Sequence, residues 1–356
     1  MSSSDVGKDG LHGERPGREA RIGQAVGADP EKYTASQAAA GAPRRRGRRR
    51  GRKGEQLMVP DAEFTSYYGR PIIKAPTWAP LDIAGYFFLG GLAGAGSVLA
   101  AGAELTGRPV MARALKVSSI AAISGSGIAL VHDLGRPERF YHMLRVFRPT
   151  SPMSVGSWLL SVYAPAAGAA AALDLTGRMP RVARSATAAT ALLGPAVAAY
   201  TAVLATNTAV PAWHDGYREM PFVFTGSATI AASGMALITA PVAENGPAIG
   251  AALFGTALET AAVKVMEHRL DIIAEPYRTG RSGRLMRAAQ ALSLAGAAGA
   301  ALFARRSRKA AVLSGAALLA ASACTRFGVF HAGAASADNP KYTVVPQLEQ
   351  ADAGTR

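Results

Sequence analysis

The chain has 356 residues, 39 Lys and Arg against 24 Asp and Glu, a net charge of +15 and one cysteine, Cys324. One thiol excludes a protein-held iron–sulfur cluster, a disulfide framework, a CxxCH haem attachment and a cysteine-rich zinc site. Charged residues make up 18% of the chain, below the roughly 25% of soluble domains, and residues 1–60 hold 13 of the cations and 7 of the acids, so the mean hydropathy of +0.13 conceals a much more apolar remainder.

Residues 1–66 read as a disordered basic tail. Gly, Ser, Ala and charges offer too little burial to offset the entropy of ordering. Its run RRRGRRRGRK at 44–53 places eight cations in ten positions. No hydrophobic signal core follows it, so the run reads as a cytoplasmic tail touching anionic lipid rather than a nucleic-acid site or an export signal. No nucleic-acid partner is expected.

From residue 80 the pattern turns to apolar blocks of about 20 residues, the length that crosses a bilayer. They run from Ile83 to Ala103, then 114–131, 153–173, 185–206, 221–243, 248–268, 286–304 and 309–330. The fold class is therefore all-α: a polytopic membrane protein of about eight helices, expected as two four-helix bundles over residues 67–335, with a C-terminal tail at 336–356. The helices are rich in Ala and Gly, and the first carries Gly90, Gly91, Gly94 and Gly96. Such spacing suits close backbone approach, since lipid supplies no hydrophobic drive for association. Pro165 and Pro195 should kink the third and fourth helices.

Cations flanking the helices set orientation. The second connection carries Arg136, Arg139, Arg145 and Arg148, and the sixth region carries Arg269, Arg278, Arg281, Arg284 and Arg287. With the basic tail they place both termini in the cytoplasm and the chain in the plasma membrane. The second, fourth and sixth connections are long and hold Trp, Tyr, His, Asp and Arg; the odd-numbered ones are short. All the decorated connections fall on one membrane face. The opposite face is expected only to close hairpins, with Glu104, Asp174 and Glu244 as ordinary boundary acids.

Histidine placement argues against a haem b anchor, because His132, His214, His268 and His331 fall at helix ends and none at mid-membrane. Ionisable groups within apolar segments are costly and so are functional candidates. Glu259 is the deepest acid. It either begins a proton relay through His268 toward the decorated face, or stands above a Lys264 pairing with Glu267 or His268 at helical spacing. Trp78, Asp82 and Tyr86 lead into the first helix, and Tyr200, Asn207, Trp213 and His214 end the fourth. Together they offer aromatic walls and proton donors for a flat quinone. Asp133 in DLGRPERF reads equally as a helix stop or, with Arg136 and Arg139, as a partner-docking or pocket-mouth element.

The runs YYGRPIIKAPTWAPLDIAGYFFLGGLAGAGSVLAAGAEL, HDLGRPERFYHMLRVFRPTSPMSVGSW, YTAVLATNTAVPAWHDGYREMPFVFTGSA and RFGVFHAGAASADNPKYTVVPQLEQ together resemble the NrfD/polysulfide reductase membrane-subunit family across residues 67–350. The resemblance implies an eight-helix subunit without haem, not catalytic alone. It would exchange electrons between menaquinone and a ferredoxin-like iron–sulfur subunit serving a molybdenum or tungsten bis-pterin subunit. It also implies a quinone pocket at Trp78, Asp82, Tyr86, Tyr200, Asn207 and His214. No metal ligand or catalytic residue is assigned to this chain. The competing classes are a secondary transporter or ion-translocating module and, third, a haem b anchor.

Overall fold

The computed structural model describes residues 5–7, 10–12, 72–74, 76–133 and 137–354. Asp5–Gly7 and Gly10–His12 form a short antiparallel pair with Val6 opposite Leu11. The remainder of the basic tail, with its run at 44–53, lies outside the described residues, as does Arg136.

The helices are α1 Pro80–Leu105, α2 Pro109–Asp133, α3 Pro152–Thr176, α4 Pro180–Thr206, the single turn α5 Pro211–His214, α6 Met220–Thr239, α7 Gly246–Leu270, the single turn α8 Glu275–Arg278, α9 Gly280–Phe303, α10 Arg308–Asp338 and α11 Lys341–Gly354. Short 3-10 segments occupy Pro137–Leu144, Val242–Glu244 and Asp271–Ala274. Among the described residues, eight helices are long and apolar enough to cross a membrane, α7 counting with α8 as one stretch. Prolines start α1 through α5, where the missing N–H costs nothing and the fixed φ suits the first turn. Pro165 and Pro195 stay inside the continuous α3 and α4.

Several helices overrun the apolar blocks. α2 begins five residues before 114, α9 begins at Gly280 and α10 continues to Asp338. Hydropathy falls at charged residues, but the helical backbone does not. The expected start of the C-terminal tail at 336 thus falls inside α10. His331, expected at a helix end, lies within α10.

α1–α4 pack together, as do α6, α7, α9 and α10, and the two groups meet mainly where α6 packs on α1 and α4 and where α10 packs on α1. Small residues permit this. A Cβ on Gly94 would sit 2.5 Å from the Gly194 carbonyl oxygen, and one on Gly234 would sit 2.6 Å from that of Gly315. Both distances are below any real Cβ contact, so α1 meets α4, and α6 meets α10, backbone to backbone. Large side chains gather toward the face of long connections, where Tyr86, Phe87, Trp213, Phe224, Tyr277 and Phe330 form one cluster.

The face of short connections does more than close hairpins. Glu244, expected as an idle boundary acid, accepts the Met111 N–H at 2.7 Å and so caps the N-terminus of α2 across the fold. Arg308 donates to the Leu237 and Ala240 carbonyls at 2.9 and 2.6 Å, closing the C-terminus of α6. Orphan backbone groups at a helix end need such partners, and the charges suit the helix dipole. Glu104 and Asp174 are likewise engaged, both by Lys116.

Candidate functional site

Tyr86 lies six residues into α1 and Tyr200 six residues before the end of α4, which puts both at the level where the long connections begin. Their hydroxyls are hydrogen-bonded to each other and the rings meet edge to face, 6.3 Å apart. Tyr86 is buried and Tyr200 half-buried. Beside them is a cavity of about 270 Å³ walled by Trp78, Leu130, Met143, Leu160 and Leu204, with Ser157 and Asp133 at its polar edge. An apolar slot with two phenols at one side matches the pattern of small-ligand sites.

The motifs that carried the resemblance have local reasons here. In SPMSVGSW, Ser151 caps α3 and Gly156 makes room for Tyr200, since a Cβ at Gly156 would lie 2.5 Å from the Tyr200 Cε2. In DLGRPERF, Asp133 accepts the Ala79 N–H at 3.1 Å. It therefore ties the entry of α1 to the end of α2 while lining the cavity, joining its two expected roles. The side chain of Arg139 lies outside the described residues, with Arg136.

The remaining expected pocket residues divide. Trp78 lines the cavity and stacks on Trp213 at 5.5 Å and 17°. Asp82 faces outward, 2.9 Å from the Nδ1 of a mostly exposed His132. The side chain of Asn207 is exposed at the end of α4. His214 is exposed and its Nδ1 contacts the Thr206 carbonyl at 3.2 Å. The structure thus brings together Trp78, Tyr86 and Tyr200, whereas Asp82, Asn207 and His214 do not line the cavity. Trp213 is the residue that sequence reasoning undervalued. It is fully buried, donates Nε1–H to the Val329 carbonyl at 2.8 Å, and rests on Gly333, where a Cβ would fall inside its ring.

A second cavity, of about 250 Å³, opens between α7 and α9, with Glu259 and Thr325 at its base and Lys264, Glu267, Arg278 and Arg287 along it. Thr325 donates to Glu259 Oε1 at 2.7 Å. Glu267 pairs with Arg278, at 3.4 Å to the carboxylate and 2.9 Å to the carbonyl, so the expected pairing with Lys264 gives way to a partner from α8. His268 is exposed and borders neither cavity.

Next to Thr325 stands a residue that the sequence reading passed over. Arg326 is 0% exposed, near the middle of α10, with Nη2 donating to the Phe224 carbonyl at 2.6 Å and the guanidinium 3.9 Å from the Phe224 ring centre. Its Nε and Nη1 have no partner among the described residues. The residue before it in α10, Thr325, is the one that holds Glu259 of α7. The signal was available: an Arg inside an apolar block is as costly as the Glu that was noticed.

At the aqueous edge, Arg269 holds Glu219 through two bonds, 2.7 and 2.6 Å. These bonds keep the Glu219 carboxyl below its ordinary range, against the opposing effect of burial. They fasten the fourth connection to the end of α7. Among the described residues no group of three or more His, Cys, Asp or Glu converges.

Residues 75–245 match the family model described as polysulphide reductase, NrfD. Over that stretch, just under half of the chain, the sequence is similar to the NrfD family. No curated protein matches the chain. The NrfD region runs from the entry of α1 to the start of α7, so it contains the whole Tyr86–Tyr200 cavity and Trp213, whereas Glu259 and Arg326 lie beyond it. With eight apolar helices, the chain is a multi-pass membrane protein.

Proposed function

We propose that the chain is the quinone-reactive membrane subunit of a multi-subunit oxidoreductase. It would exchange electrons between menaquinone and a ferredoxin-like iron–sulfur subunit that serves a molybdenum or tungsten bis-pterin catalytic subunit. The observation that carries this reading is the bonded Tyr86–Tyr200 pair beside an apolar cavity within the NrfD region. The cavity's size, near the lower end of small-ligand sites, suits a flat ring system with its tail outside. Trp78 and Leu160 would hold the ring faces. Tyr200, the more exposed of the two phenols, would donate to a carbonyl oxygen while Tyr86 orients it.

A bound quinone supplies two-electron, two-proton chemistry, and one thiol in the chain leaves the electrons to the partner's clusters. The chain's own part is to bind, orient and handle protons. Glu259, at the base of the second cavity, is the candidate relay on the α7 side. The cations of the second and sixth connections support a reading in which the partner-facing side, and both termini, are cytoplasmic. A C-terminal reporter active only outside the cell would reverse that orientation.

The test is titration of the purified full chain with menadione, a soluble naphthoquinone, followed by quenching of tryptophan fluorescence, since Trp78 borders the cavity. Saturable quenching that weakens about tenfold in Tyr200→Phe, the worth of one to one and a half kcal/mol of hydrogen bond, supports the reading. Quenching that does not saturate, or is unchanged in Tyr86→Phe with Tyr200→Phe, overturns it. One observation favours the ion-translocating alternative. Arg326 and Glu259 sit near mid-span in α10 and α7, where a transporter keeps its charged residues.

A further inference from the structure

The mouth of the second cavity differs in chemistry from its base. Glu259 and Thr325 close the base, whereas Lys264, Arg278 and Arg287 line the approach from the long connections. A tight return of the chain builds that approach. At Gly283 a Cβ would lie 2.1 Å from the Arg278 carbonyl oxygen, so glycine is what lets α8 press on the first turn of α9. The same carbonyl accepts from Arg287 Nη1 at 3.0 Å, which fixes both arginines at the opening.

The cations on the two walls stand at one depth. Lys264 is six residues before the end of α7 and Arg287 seven after the start of α9, about 9–10 Å inside the helix ends at helical rise. Gln290 lies one turn deeper, and Glu259 is about 7.5 Å deeper than Lys264 along α7. Lys264, Arg287 and Gln290 are exposed, as are Phe254 and Ala261 of α7 and Leu294 of α9. The cleft therefore opens sideways, onto the apolar surface that lipid covers.

Charge at this depth does not balance. Glu267 is the acid beside these cations, and Arg278 already holds it. Arg269, beyond it, is held by Glu219. Lys264, Arg284 and Arg287 have no acidic partner among the described residues. Cations gathered at one opening in a poorly polar surrounding repel one another unless an anion joins them. A phosphate suits the set, because guanidinium and ammonium groups both bind its oxygens strongly. The exposed apolar face below Lys264 suits an anion that carries acyl chains, and basic pockets between membrane helices are known to take the headgroups of anionic lipids.

We propose that the cleft between α7 and α9 is a binding site for one anionic phospholipid. Its phosphate is held between Lys264 and Arg287, its ester oxygens meet Gln290, and its acyl chains lie on Ala261 and Phe254. Bound there, the lipid bridges α7 to α9 and closes the opening above Glu259. The site stands whether or not the first cavity takes a quinone.

Native mass spectrometry of the full chain, released from micelles with added lipid, reads occupancy directly. Dioleoyl phosphatidylglycerol should give a one-lipid adduct at a concentration at least about tenfold below that needed with dioleoyl phosphatidylcholine, whose phosphate is offset by its own cation. Each Lys or Arg near a lipid surface contributes about fivefold in affinity, so Lys264→Gln with Arg287→Gln should weaken the phosphatidylglycerol adduct at least about tenfold. Arg305→Gln with Arg306→Gln, two exposed cations on the opposite face, should leave it within about twofold. The basic tail is the same in every variant, so its own attraction for lipid cancels from the comparison.

Lys264→Arg with Arg287→Lys keeps both charges and should bind within about threefold. Loss in that pair would mean that the substitutions act through packing, and it overturns the site. Equal adducts with the two lipids, or equal loss in the two neutralised variants, overturn it as well. Glycerol 3-phosphate is the soluble source of the same chemistry. Displacement of phosphatidylglycerol by an equal concentration of glycerol 3-phosphate would overturn the lipid assignment, and retention of the lipid supports it.

Discussion

Removing the positive charge at Arg326 should expose how the second half of the bundle is held. Arg326→Met keeps most of the side-chain volume but deletes the bond to the Phe224 carbonyl, the stacking on Phe224 and the buried cation next to Thr325, which holds Glu259. Breaking one side of a contacting buried ion pair costs about 3–5 kcal/mol; Arg326 and Glu259 are both buried but make no direct salt bridge, so each single substitution should cost at or below the lower end of that range. Glu259→Gln alone should also be costly, since it removes the one buried acid near an Arg326 whose only protein hydrogen bond is to the Phe224 carbonyl. The double substitution removes both charges, and since well-packed neutral replacements of a buried pair are often close to neutral, it should cost less than Arg326→Met by itself. A coupling of at least about 2 kcal/mol is therefore expected. The assay is reversible unfolding in mixed micelles with rising SDS, followed by the fluorescence of the buried Trp213. Additive single effects, within the roughly 0.5 kcal/mol expected of independent sites, would refute the coupling of these two groups.

Three further outcomes follow from other contacts. The Glu219 carboxyl is held below its ordinary value by Arg269, so its contribution is fully present above its unfolded value near 4.5 and is lost as pH falls through the lower folded value. Hydrogen exchange across residues 207–219 should quicken on acidification below that point, and Glu219→Gln should exchange fast at every pH. Gly156→Val would drive a side chain into the Tyr200 ring, an overpacking that costs about 1–3 kcal/mol; menadione titration should show at least about tenfold weaker binding. Glu244→Ala removes the cap on α2 and should lower stability in the SDS assay by about 0.5–2 kcal/mol, without moving menadione affinity.

The helix count and the decorated face were legible because both are encoded in one dimension. Apolar blocks of bilayer length mark spans whatever packs around them, and alternation of connections assigns every loop to a face. The choice among candidate pocket residues depended on helix rotation, which those signals do not carry. Depth matters as well: Tyr86 and Asp82 lie four residues apart on one face of α1, yet Tyr86 is buried at the cavity, whereas Asp82, a turn nearer the helix start, pairs with an exposed His132. His214 follows the buried Trp213 directly and is exposed. In helices that are apolar nearly all round, periodicity gives little indication of which side is covered, and the packing of small residues against one another decides it. Gly156 and Gly333 show this in reverse: each is the vacancy into which Tyr200 or Trp213 fits.

Lys116 and Arg326 escaped notice for one shared reason. Both stand near the edge of an apolar block, within three and five positions of its limits at 114 and 330, where a long cationic side chain ordinarily snorkels to the interface. That expectation fails when the helix continues past the block. α2 begins at Pro109 and α10 ends at Asp338, which moves both cations inward, and in each case the neighbouring helix presents acceptors: two carboxylates for Lys116 and the Phe224 carbonyl for Arg326. The length that lets such a side chain reach out to water also lets it turn into a bundle of Ala and Gly, where little else occupies the space. For helices of this composition, a cation one or two turns inside a block edge therefore belongs with the internal acids as a group that the bundle must partner, and only afterwards with the charges that set orientation.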